Sequence, residues 1–124
     1  MEINLTTHLR KEVQEMESTS DMNTCICPKF EKTFSILGKK WSGLIIEVLL
    51  AGDHRFKEIA EEIPGVSDRV LVERLKELED EGIVIRKEMA DGPIRILYGL
   101  TEKGSSLENA MVEIQSWSNQ WITI

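Results

Sequence analysis

Phe56-Lys57-Glu58-Ile59-Ala60-Glu61-Glu62-Ile63-Pro64-Gly65-Val66-Ser67-Asp68-Arg69-Val70-Leu71-Val72-Glu73-Arg74-Leu75-Lys76-Glu77-Leu78-Glu79-Asp80-Glu81 decides how the chain folds. Phe56, Ile59, Ala60 and Ile63 recur at helical spacing, and Val70, Leu71, Leu75 and Leu78 do so again. Pro64-Gly65-Val66 breaks the first run. Ser67 is a good N-cap for the second, and Asp68 suits the positive end of its dipole. A short helix, a tight turn and a longer helix that begins with small polar residues have the shape of a helix-turn-helix.

Downstream, Gly82 stops the second helix, and Ile83-Val84-Ile85 lead into Arg86-Lys87. Asp91-Gly92 is a turn signal, loosened by Pro93, and Ile94 to Leu100 return as a second strand. Thr101 caps a last helix with an apolar stripe of Leu107, Ala110, Met111, Ile114, Trp117 and Trp121. Upstream, Pro28 opens a helix whose Phe30, Phe34 and Leu37 form a short buried face, and Gly38 ends it. A second helix spans about Lys40 to Ala51, with Leu44, Ile45, Val48 and Leu49 inward, and Gly52 stops it. His54-Arg55-Phe56 is a short extended step. Farther upstream, Leu5, Leu9, Val13 and Met16 lie on one face of a possible helix over 6–17, and 18–24 read as a linker. The expected fold is mainly α with a small β-hairpin wing, a winged helix-turn-helix at 25–124 behind an extension at 1–24.

The 124 residues suffice for one domain, and 41% hydrophobic content supplies one core. No apolar run reaches the length of a membrane span, and the N-terminus lacks the pattern of a signal peptide, so a cytoplasmic protein is expected. The sequence holds no phosphate loop, dinucleotide fingerprint or Ser-His-Asp set, and it has two histidines. Neither catalysis nor a cofactor is expected.

The net charge of −7 works against nucleic-acid binding, which usually draws on basic groups. The charge is uneven, however. Residues 1–27 carry two basic and five acidic groups, whereas 28–52 carry Lys29, Lys32, Lys39 and Lys40 against Glu31 and Glu47. In a helix-turn-helix the second helix enters the major groove, and its first residues meet base edges. That singles out Ser67, Asp68, Arg69 and Arg74: Arg69 for a bidentate contact to guanine, Ser67 for a phosphate. The wing would bring Arg86, Lys87 and Arg95 to the backbone, and Lys39, Lys40 and Arg55 complete the basic set. The same architecture also serves protein-interaction modules that never touch DNA. Steep salt dependence separates the two readings.

Several motifs, read in order, carry a resemblance. They are Cys27-Pro28, Leu37-Gly38-Lys39-Lys40-Trp41, Arg55-Phe56-Lys57-Glu58-Ile59, Ile63-Pro64-Gly65-Val66-Ser67, Arg74-Leu75-Lys76-Glu77-Leu78-Glu79 and Gly82-Ile83-Val84-Ile85-Arg86. Pro93, Tyr98-Gly99-Leu100-Thr101-Glu102-Lys103-Gly104 and Trp117 close the set. From about residue 25 onward the chain resembles the HxlR family of winged-helix regulators, within the wider MarR-like superfamily. The resemblance implies a homodimer joined by its terminal helices, binding a pseudo-palindromic operator in double-stranded DNA with recognition helices about 34 Å apart. It implies a transcriptional regulator, expected to repress.

The resemblance also implies that Cys27 senses oxidants or electrophiles such as quinones. Such chemistry needs an accessible thiolate, which a helix N-terminus beside Lys29 and Lys32 favours. Cys25 adds a second thiol, able to resolve an oxidised Cys27, to join across a dimer or to stay silent. A Cys-x-Cys pair also suits a soft-metal sensor of the ArsR type, but two ligands are too few for a closed site, and no metal is expected.

Overall fold

The computed structural model describes residues 26–124, which fall into two compact units divided after Gly38. The expected helix over 6–17, the linker at 18–24 and Cys25 lie outside the described residues.

The described part of the first unit holds α1, Pro28–Leu37, with Pro28 at its start as expected. The Gly38 amide closes it on the Phe34 carbonyl at 2.8 Å. Gly38 keeps a right-handed φ of −81°, and a Cβ there would sit 2.6 Å from that same oxygen, so the position favours glycine for space and not for a left-handed turn. Phe30 and Phe34 meet edge to face, ring centroids 4.8 Å apart. Their expected burial is corrected: both are more than half exposed, and no residue of α1 is buried. Apolar spacing identifies the face a helix can bury, but it supplies nothing to bury it against.

The second unit runs α2 (Ser42–Leu50), α3 (Phe56–Glu62), α4 (Asp68–Asp80), β1 (Val84–Met89), β2 (Arg95–Leu100), α5 (Glu102–Ser105) and α6 (Glu108–Trp121). Its core joins Ile45, Ile46 and Leu49 of α2 to Ile59 and Ile63, to Leu71, Leu75 and Leu78 of α4, and to Ile83 and Val84 at the root of the hairpin. Each such side chain contributes about 1.5–3 kcal/mol by leaving water. In α2 the buried set is Ser42, Ile45, Ile46 and Leu49, at i, i+3, i+4 and i+7. Leu44, expected inward, is exposed. The stretch is apolar almost all round, so its spacing alone left the phase of the helix open.

The hairpin pairs Val84 with Leu100 through to Met89 with Arg95. His54 adds a third, one-residue rung. It exchanges both backbone hydrogen bonds with Tyr98, at 2.9 and 2.8 Å, so the short extended step becomes part of the sheet edge. The single terminal helix expected after Thr101 is two. Thr101 accepts from the Gly104 amide and caps the four-residue α5, whereas α6 starts after Leu107. The short helix before the break is held by tertiary contacts to the hairpin root. Gly104 is pressed against the Ile83 carbonyl, and its neighbour Thr101 is tied by its hydroxyl to the Gly82 carbonyl at 2.5 Å. This turn is built to dock on the hairpin root before the chain leaves as α6.

Candidate nucleic-acid interface

The N-cap of α4 is Ser67, whose hydroxyl accepts from the Val70 amide at 3.2 Å. Burial of Leu71, Leu75 and Leu78 fixes the rotation of α4. The opposite face therefore carries Arg69, Glu73 and Lys76, with Val72 on its flank and Asp68 in the first turn, all exposed. The Arg69 side chain is 89% exposed, and its Nε lies 3.6 Å from Glu73 Oε1. A guanidinium this open, at the start of a capped helix, is free to exchange a weak surface partner for a base edge.

Arg74 sits differently. Its side chain is only 19% exposed; Nε donates to the Lys40 carbonyl at 3.0 Å, and Nη1 meets Glu77 Oε1 at 3.3 Å. The structure thus turns Arg74 back on its own fold, not outward with Arg69. Lys39 reaches the other oxygen of Glu77 at 2.7 Å. The Lys39 hydrogen bond, with the charges of Lys39 and Arg74, holds the Glu77 carboxyl below its ordinary value despite some opposing desolvation. Together these groups clamp α4 to the loop before α2. Trp41 in that loop has φ 83°, a left-handed conformation rare outside glycine. The Arg74 bond to the preceding carbonyl helps to hold it. Lys40 Nζ rests 4.9 Å from the centre of the Trp41 ring. That ring also covers Gly65 in the turn: a Cβ there would lie 3.6 Å from its edge.

On the wing, β1 alternates. Arg86 and Glu88 share one face at 3.6 Å, whereas Lys87 turns to the other and bonds Asp53 at 2.8 Å. The two cations expected to act together are therefore split across the hairpin. Arg95 pairs with Asp91 of the wing loop at 3.3 Å. Arg55 is exposed before α3, its amide donating to Glu58 Oε1 at 2.7 Å.

Arg69, Arg74, Lys39, Arg86, Lys87 and Arg95 each face a carboxylate within 4 Å. This is how an acidic chain carries cationic groups at a candidate DNA face without strong self-repulsion. The exposed pairs are individually weak and exchangeable for phosphate. Neither Val72 nor Lys76, both exposed on α4, is among the residues singled out from the sequence. The available signal was an apolar residue out of phase with Leu71, Leu75 and Leu78.

In the first unit, Cys27 is a free, half-buried thiol at the N-cap of α1, and its carbonyl accepts from the Glu31 amide at 3.0 Å. Among the described residues no group of three or more His, Cys, Asp or Glu side chains could hold a metal, and no helix is long and apolar enough to cross a membrane.

The sequence profile of a family described as HxlR-like helix-turn-helix matches residues 36–124. The chain is 50% identical over 100 residues to the HTH-type transcriptional regulator YodB of Bacillus subtilis (strain 168), covering 81% of this chain and 89% of that protein. It is similar to the quinone-bound form of YodB with a TM-score of 0.67 at 50% identity, covering 77% of this chain and all of that one. It is also similar to the redox regulator HypR in its oxidised form, with a TM-score of 0.72 at 33% identity, covering 79% of this chain and all of that one.

Proposed function

The chain belongs to the HxlR-like helix-turn-helix family and is a transcriptional regulator of that type; from that premise we propose that it binds a pseudo-palindromic operator as a homodimer and represses until Cys27 is modified. The observation that carries the DNA reading is the outward face of α4, where a capped helix start presents Arg69 almost fully to solvent. Arg86 and Arg95 on the wing are the backbone contacts, while Arg74 and Lys39 position α4 and do not touch bases. The unburied apolar faces of α6 and α1 support joining two copies through the terminal helices.

The thiol reading rests on Cys27 at its helix start and on relatives solved in quinone-bound and oxidised forms. With a quinone, Sγ bonds to a ring carbon. The thiol proton and the displaced ring proton end on the two oxygens, giving a hydroquinone thioether. With diamide, Cys27 and a second thiol lose two electrons and two protons to the N=N bond and form a disulfide. Cys25 and Cys27 of the partner subunit are the candidate second thiols. Either change would shift the subunits and misalign the two recognition helices with their half-sites.

The test is a gel shift on the DNA upstream of the protein's own gene, reduced and with a quinone or diamide, for wild type and Cys27→Ser. Wild type should bind when reduced and release on treatment, and Cys27→Ser should bind throughout. Equal release of both would overturn the role of Cys27 and leave DNA binding standing. Absence of any salt-sensitive binding would overturn the DNA reading itself.

A further inference from the structure

Val72 is 54% exposed, although every other apolar residue of α4 is buried or half-buried. Isolated exposed apolar residues are ordinary on protein surfaces, so exposure alone says little. Its placement says more. Val72 follows Arg69 by three residues and precedes Lys76 by four. At helical pitch that is about 4.5 Å along the axis and about 60° around from Arg69. It therefore lies on the flank of the outward face, about 40° around from Lys76 and about 60° from both Arg69 and Leu75, exposed beside the charged residues and not turned into the core. Helix formation does not ask for it there, since valine is a poorer helix former than the arginine, glutamate and lysine around it. Its branched Cβ also confines χ1 in a helix to essentially one rotamer, so its two methyl groups are held in a fixed direction before any partner arrives.

We propose that Val72 is a specificity-determining residue that reads the 5-methyl group of a thymine one to two base pairs from the step contacted by Arg69. The thymine methyl is the apolar feature that a base pair presents in the major groove, and an aliphatic side chain is its natural partner. The proposal rests on the DNA-binding reading above and adds a base identity to it. Arg69 supplies hydrogen bonds to a guanine edge, and Val72 supplies van der Waals contact beside it. The α4 face thus reads a guanine and a thymine in close succession.

The experiment selects an operator from random duplexes with the intact protein and then replaces each thymine singly by deoxyuridine, which removes only the methyl group. Binding is followed by fluorescence anisotropy for wild type, Val72→Ala and Val72→Thr. Wild type should lose roughly fourfold in affinity, the worth of one methyl group withdrawn from water, at one thymine in each half-site. Val72→Ala should bind thymine and deoxyuridine alike at that position and discriminate normally elsewhere. Val72→Thr, which keeps one methyl group, should retain part of the preference. Unchanged helical circular dichroism confirms that both variants fold. Selected half-sites without thymine near the guanine step overturn the proposal. So does wild type indifferent to every deoxyuridine, or Val72→Ala discriminating as wild type does; in these cases operator preference persists and DNA binding stands. If no duplex is enriched or bound at low salt, the DNA reading and this one fall together.

Discussion

Gly104 and Gly43 differ only in what surrounds the hydrogen that stands for a side chain. At Gly104 a Cβ would overlap the Ile83 carbonyl, a backbone atom that cannot rotate away, and would crowd Leu100. Gly104→Ala should therefore lose about 1–3 kcal/mol in urea denaturation. At Gly43, near the start of α2, a Cβ meets nothing within 4 Å. Gly43→Ala should gain up to about 1 kcal/mol, because the unfolded chain loses freedom and helix propensity improves. At the candidate interface, Arg69 can be removed without disturbing the fold, since its ion-pair partner among the described residues is the exposed Glu73. Arg69→Ala should leave the unfolding midpoint unchanged and weaken specific binding by about 1–3 kcal/mol, with relaxed preference at one base position.

Helix α4 belongs to two systems at once. One side completes the core; the other faces outward; and the Lys39–Glu77–Arg74 clamp lies between them, tied to the Lys40 carbonyl. Arg74 therefore acts on any DNA contact indirectly, by setting the angle of α4. Arg74→Ala should weaken binding to all sequences alike, in contrast to Arg69→Ala. The clamp also gives a pH dependence. The folded carboxyl of Glu77 lies below its ordinary value, chiefly through the Lys39 hydrogen bond. Its contribution is thus complete above the unfolded carboxyl's pKa and is lost as pH falls through the folded one. Glu77→Gln should cost no more than about 1 kcal/mol at neutral pH, as befits an exposed pair. Urea titrations should show the gap between variant and wild type closing as the pH is lowered.

For the molecule as a whole, an apolar stripe stands uncovered among the described residues. On α6, Ile114, Trp117 and Trp121 share one stripe at i, i+3 and i+7, each is more than half exposed, and no residue of that helix is buried. Such a patch marks an interaction surface, and a second copy is the proposed occupant. Trp117→Glu combined with Trp121→Glu should yield a monomer in sedimentation equilibrium. It should leave the core of α2, α3, α4 and the hairpin root folded, and reduce affinity for a two-half-site operator by far more than for a single half-site. A wild type that sediments as a monomer at micromolar concentration would overturn the dimer.

Local spacing and punctuation determined most of the fold. The Pro28 start, the Gly38 stop, the Ser67 cap, the Leu71-Leu75-Leu78 face and the hairpin all depend on neighbours a few residues away, and each was legible in the chain. Legible too was the motif that points to DNA. Three-dimensional packing decided what the same letters do at long range. Leu44 and Ile46 are equally apolar, and only packing within the second unit selected Ile46 for the core. Arg69 and Arg74 are equally basic; helical spacing sets Arg74 beside Leu71 and Leu78 and Arg69 away from them, and the carbonyl of Lys40, 34 positions away in sequence, is the partner that only folding supplies to Arg74. Spacing records which residues share a face; which face is covered, and which charge is already taken, depends on atoms that the chain brings near only by folding.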